Sequence, residues 1–270
     1  MPFPFLDFPR PAAAAAAPLN RVPEITLAFW AVKVMATTVG ETAADYLNTT
    51  LGFGLNGTSM VMSVLLLLAL AAQFRARRYL PGRYWLVVVL ISVVGTLISD
   101  NLVDNLGVGL LVTTPLFAFL LAVAFAAWFG TERTLSVHTI FTARREAFYW
   151  AAILFTFALG TSGGDLLAER LALGYPLSAA LFGLGIAATY GAWRLGGNPI
   201  LTFWIAYILT RPLGASLGDL LSQPRAAGGL GFGTTMTSLL FLLAILALVA
   251  AMGLALRRGT GGALEEGTAD

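Results

Sequence analysis

Three residues recur four times at one fixed spacing. Trp30, Gly40 and Asp45 return as Trp85, Gly95 and Asp100, as Trp150, Gly160 and Asp165, and as Trp204, Gly214 and Asp219, so W-x9-G-x4-D is kept in every copy. Repetition of this kind means one supersecondary unit stacked four times. A second mark follows each aspartate. It is Gly52 and Gly54 in LGFGL, Gly107 and Gly109 in LGVGL, Gly174 in LALGY, and Gly231 and Gly233 in GLGFG after a five-residue insertion.

The unit lies in a membrane. Hydrophobic residues make up 58% of the chain and charged residues 11%, against roughly 25% charged in a soluble domain. The mean hydropathy is +0.82. Apolar runs predict spans near 24–47, 57–74, 83–103, 110–130, 147–168, 176–193, 201–221 and 234–256, each about the twenty residues that cross a bilayer. The expected fold is an all-α integral membrane protein with eight transmembrane helices from four two-helix repeats. These occupy about 24–80, 81–134, 145–196 and 199–256, within one transmembrane domain over 23–256. An even number of spans per unit makes the repeats parallel, about an axis along the membrane normal.

Basic residues set the orientation. Arg10 and Arg21 precede the first span; Arg75, Arg77, Arg78 and Arg83 follow the second; Arg133, Arg144 and Arg145 follow the fourth; Arg194 follows the sixth; Arg257 and Arg258 end the eighth. The opposite face has Arg170 and Arg225. Basic loops stay cytoplasmic, so both termini are predicted cytoplasmic, with residues 1–22 as a flexible arm and 257–270 as a tail. The net charge of +2 reflects these loops and not nucleic-acid binding. The start lacks the basic region and long apolar core of a signal peptide.

With these marks the chain resembles a bacterial family of uncharacterised polytopic membrane proteins made of four tandem repeats, each with two spans and a characteristic tryptophan. The resemblance covers residues 24 to 256 and is carried by segments such as PEITLAFWAVKVMATTVGETAADYLNTTLGFGL and ISVVGTLISDNLVDNLGVGL. It implies the architecture and a multi-pass location in the bacterial inner membrane, and it implies no mechanism.

Candidate functional residues come from the acids. Tryptophan, read as a cytoplasmic interface anchor, is fifteen residues from the aspartate, about 22 Å along a helix. Four carboxylates therefore share one depth in the outer half of the bilayer. Seven acids fall inside spans or at their outer ends: Glu41, Asp45, Asp100, Asp104, Asp165, Glu169 and Asp219. Each costs at least ~2.5 to 3.5 kcal/mol to insert, and like charges four apart share a helix face. Only Lys33 and Arg211 stand inside spans as charge partners. Lys33 is expected to snorkel to the cytoplasmic side. Arg211 replaces Thr37, Ser92 and Phe157 of the other copies and is expected to pair with an acid of a neighbouring repeat.

Acids exceed bases, which leaves a site attractive to cations. With Asn48, Asn101, Asn105, Thr49, Thr96 and Thr161 the carboxylates make a set of hard oxygen donors. That set suits protons, sodium, magnesium, calcium or manganese. Absent cysteine and a single histidine, His138, disfavour soft metals and haem, and no cofactor is required. The expected function is a cation transporter or exporter, proton-coupled or carrying a divalent metal, whose partners are the bilayer and the transported cation. Nothing bars a homo-oligomer. The alternative is a non-transporting scaffold or sensor in which each aspartate caps the following turn and the glycines serve packing. An intramembrane enzyme ranks last, since no nucleophile constellation or HExxH helix accompanies the acids.

Overall fold

The computed structural model describes the backbone of residues 20–266 and the side chains of residues 20–256. Residues 1–19 of the expected arm and 267–270 of the expected tail lie outside the described residues. Eight long helices follow in order: α1 (Leu27–Asp45), α2 (Gly54–Phe74), α3 (Pro81–Asp100), α4 (Leu110–Glu132), α5 (Ala143–Asp165), α6 (Gly174–Arg194), α7 (Pro199–Ser222) and α8 (Gly233–Glu266). Six of them, all but α1 and α6, are long and apolar enough to cross a membrane. Lys33, Glu41 and three threonines dilute α1. Glycines and polar residues dilute α6.

Caps and prolines set where the first helices of the repeats begin. Thr26 and Thr142 accept the amides of Phe29 and Arg145, each at 3.2 Å, and Asn198 accepts those of Ile200 and Leu201. Pro81 and Pro199 open α3 and α7, where a missing N–H costs nothing. Helices α3, α5 and α7 therefore begin two to four residues before the expected starts, whereas α1 begins at Leu27, three residues after its own. At the same end Asn20 and Arg21 are docked: the Asn20 carbonyl accepts the Tyr79 amide, and the Arg21 amide donates to the Ile140 carbonyl.

Helices α1, α3, α5 and α7 pack in sequence, and α7 packs back on α1, which closes an inner ring of four. The second helix of each repeat covers the first helix of the next one: α2 lies on α3, α4 on α5, α6 on α7, and α8 returns to α1. Polar contacts pin this outer layer. The Asn101 amide donates to Ser59 Oγ at 2.8 Å, Thr114 Oγ1 donates to the Ser162 carbonyl at 3.1 Å, and the Thr42 and Ser238 hydroxyls meet at 2.7 Å.

The repeat residues make the seams. A Cβ on Gly40 would collide with Ser92, one on Gly95 with Phe157, one on Gly160 with Arg211, and one on Gly214 with Thr37. In each case the opposing residue stands three before the glycine of the next copy, so all four seams share one offset. The aromatic residue before each tryptophan repeats the rule one level down. Phe29 packs on Trp85, Tyr84 on Trp150, Tyr149 on Trp204 and Phe203 on Trp30, with ring centroids 5.6, 5.4, 6.3 and 5.7 Å apart. Three of the tryptophans, Trp85, Trp150 and Trp204, are buried. The expected interface anchors are thus an aromatic collar between repeats.

Candidate functional site

The inner ring places equivalent residues at equal heights. Passing away from the collar, the axis meets Lys33, then the repeat glycines with Arg211, then Glu41, then the four aspartates. At 1.5 Å per residue the aspartates stand about 7 Å beyond the glycines.

Arg211 is fully buried and binds all three other inner helices. Nη1 donates to the Thr37 carbonyl at 2.7 Å, and Nη2 shares its two protons among Glu41 Oε2 at 3.0 Å, Thr161 Oγ1 at 2.7 Å and Thr96 Oγ1. Nε points to the Phe157 carbonyl at 3.4 Å. The expected partnership with an acid of a neighbouring repeat is therefore present, since repeat 1 adjoins repeat 4. A buried pair is tolerable when further hydrogen bonds satisfy its remaining groups, and the threonines provide them. Thr96 and Thr161, expected beside the aspartates, serve the guanidinium instead.

Lys33 departs from its expected place. Its side chain is fully buried, and Nζ lies 4.3 Å from the ring centroids of both Phe157 and Tyr207. The ammonium thus faces two π-clouds and does not reach the interface. Its two rings come from repeats 3 and 4, which no spacing within α1 reveals.

Beyond Glu41, Asp219 is buried and Asp45, Asp100 and Asp165 are half-buried, while Asp104 and Glu169 are exposed. Each repeat aspartate lies within electrostatic reach of Glu41. Among the described residues none of the four repeat carboxylates accepts a hydrogen bond or forms an ion pair. Asp45, Asp100 and Asp165 each precede a five-residue π-helical turn, Tyr46–Thr50, Asn101–Asn105 and Leu166–Arg170, and none of them caps it. Each π-turn is the last turn of its helix, a common way for a helix to end. They end where Leu51, Leu106 and Leu171 donate five residues back, to Tyr46, Asn101 and Leu166. In the fourth copy Pro224 forces Gln223 into an extended conformation, and no π-turn forms.

The surrounding amides and hydroxyls are tied to one another. Asn105 donates to Asn101 Oδ1 at 2.7 Å and toward Asn56 Oδ1 at 3.3 Å, and Thr49 donates to the Asp45 carbonyl. Asn48 is half-buried, next to Thr49 in the first π-turn. No three acids or histidines among the described residues are drawn together as a metal cage.

Two features escaped the sequence reading. Thirteen residues after the aspartate, a hydroxyl recurs as Thr58, Thr113 and Ser178, and as Thr237 once the insertion is discounted; all four are buried. The spacing alone reveals this row. The other is Glu146, fully buried at the collar end, which accepts from Arg21 at 2.7 Å, Gln73 at 2.9 Å and Trp150 at 3.4 Å. It occurs in one copy, so the repeat conceals it.

A family model described as Repeat of Unknown Function (DUF347) matches residues 28–79, 83–134, 148–196 and 202–257. No curated protein and no solved structure matches the chain.

Proposed function

The chain belongs to the DUF347 repeat family, and from that premise we propose that it is an inner-membrane transporter or exporter of a hard cation. In this reading all eight helices span the bilayer, the four units are parallel, and the arginine-rich loops hold both termini in the cytoplasm. The cation, a proton, sodium or a divalent metal such as manganese or magnesium, enters from the outer side among Asp45, Asp100, Asp165 and Asp219. Asp104 and Glu169 stand at the rim, and Glu41 shares its charge with Arg211 below. The chain carries out transport and no covalent chemistry.

One observation carries the reading: four equivalent carboxylates, three half-buried and one buried, share one end of a closed ring and have no hydrogen bond or ion pair among the described residues. An acid inside a membrane protein is costly, and a structural one finds donors. Replacing Asp45 or Asp100 by Asn should lower cation flux into reconstituted vesicles at least tenfold. Flux equal to that of the native protein, measured for protons and for mono- and divalent cations, rules the assignment out.

A second reading, a membrane scaffold or sensor, draws on the closure of the axis. Arg211, Lys33 and the collar fill the bundle beneath the acids. On this reading the native protein shows no flux, and the aspartate variants change the thermal midpoint alone.

A further inference from the structure

The residue directly after each repeat glycine forms one layer around the axis: Glu41, Thr96, Thr161 and Ala215. Arg211 Nη2 lies within hydrogen-bond reach of three of these four, Glu41 at 3.0 Å, Thr161 at 2.7 Å and Thr96, and shares its two protons among them. A single nitrogen that touches the equivalent side chain of every other repeat lies on the axis that relates them. The fourth member, on its own helix, is Ala215, whose methyl brings no polar group.

Rings of equivalent oxygen donors around an axis are the means by which symmetric bundles hold cations. This ring has a cation at its centre that is part of the chain. The Thr37 carbonyl at 2.7 Å orients the guanidinium, and Glu41 supplies the one negative charge of the layer. Both charged residues occur once in the repeat series. They face each other across the seam where the last copy meets the first.

We infer that this layer is an axial site for a small monovalent cation, filled by Arg211 as a tethered ion. Without that side chain, Glu41, Thr96 and Thr161 bind a free cation from solution. Ser92 occupies the equivalent position in the second copy, so Arg211→Ser gives the fourth copy a residue that the ring already accepts. The site lies below the aspartates and stands whether they transport ions or only brace the bundle.

The test is chemical rescue of the purified full chain in detergent. Guanidinium chloride is added to 10 mM, far below denaturing concentrations, with choline chloride as the control and sodium chloride as a second probe. Arg211→Ser should gain about 5 °C in thermal midpoint with guanidinium over choline, while the native protein does not shift. The double variant Glu41→Gln, Arg211→Ser keeps the cavity without its charge and should not respond. An Arg211→Ser response no larger than that of the native protein, or an equal response of the double variant, overturns the inference. If Arg211→Ser folds poorly, purification in guanidinium asks the same question: folded yield no better than in choline also overturns it. Flux assays on the native protein test the transport reading separately.

Discussion

Glycine has two separate jobs here, and substitution distinguishes them. At Gly95 a methyl would meet Phe157 Cβ and the backbone of Ala158, so Gly95→Ala pushes α3 from α5. Overpacking of this kind costs about 1–3 kcal/mol, and a lowered thermal midpoint in detergent measures it. At Gly52 nothing stands near a Cβ, and φ is +70°; the requirement there is backbone freedom, not packing. Ala172 occupies the same register in the third copy with φ 55°, where an L-residue is strained by about 1–2 kcal/mol. Ala172→Gly should therefore raise the midpoint by a few degrees, net of the entropy glycine loses on folding; a fall would refute the strain argument. Letters at fixed spacing carry no φ, so in the sequence both sets of glycines read alike, as packing residues. Arg211 is legible as the residue that breaks the repeat; the place of Lys33 is not, because the rings that hold the lysine belong to distant copies.

Helix boundaries followed from the apolar runs wherever lipid-facing residues end them, and not where capping or a π-turn takes over. Three copies leave the inner ring through a π-turn, while the fourth stops at Ser222. Pro224 was visible in the sequence, but the π-turns it prevents were not, because the extra residue of each turn leaves the periodicity of a short segment almost unchanged. At the opposite end the link between α4 and α5 contains a 3-10 turn, Val137–Thr139. There burial lowers the pKa of His138 from its ordinary 6.5, partly opposed by Glu24. The fold therefore favours the neutral imidazole. Stability is full above about 6.5, where neither the folded nor the unfolded chain binds the proton, and it falls as pH drops below that value because the unfolded chain protonates first. His138→Gln should flatten this part of the midpoint-against-pH curve between pH 7 and 5. An unchanged slope would assign the pH dependence to other groups.

At the scale of the molecule, four parallel units could form one ring or two bundles of two, and the repeat pattern alone leaves both open. What decides is that each second helix covers the next repeat's first helix, so that no subset of units is self-contained. The last unit can complete this arrangement only by laying α8 on α1, and the Thr42–Ser238 contact at 2.7 Å fastens it there. The seam between α7 and α1 has the same glycine offset as the others, with Thr37 against Gly214, and the collar closes through Phe203 and Trp30. A ring whose seams are equivalent has no preferred first element. A permuted chain that starts at Arg77 in the loop after α2, with the old ends joined by a flexible Gly-Ser linker, should therefore fold to the same bundle. Asn20 lies at the collar end with the Tyr79 loop, and α8 runs toward that end, so the linker need not cross the membrane. Loops tolerate such cuts when few buried groups cross them. The permuted protein should elute as a monodisperse species in detergent, with native helical content and a midpoint within about 10 °C of the original. Aggregation, with native-like behaviour of a control carrying only the terminal linker, would mean that the α8–α1 seam depends on the order in which the chain is made.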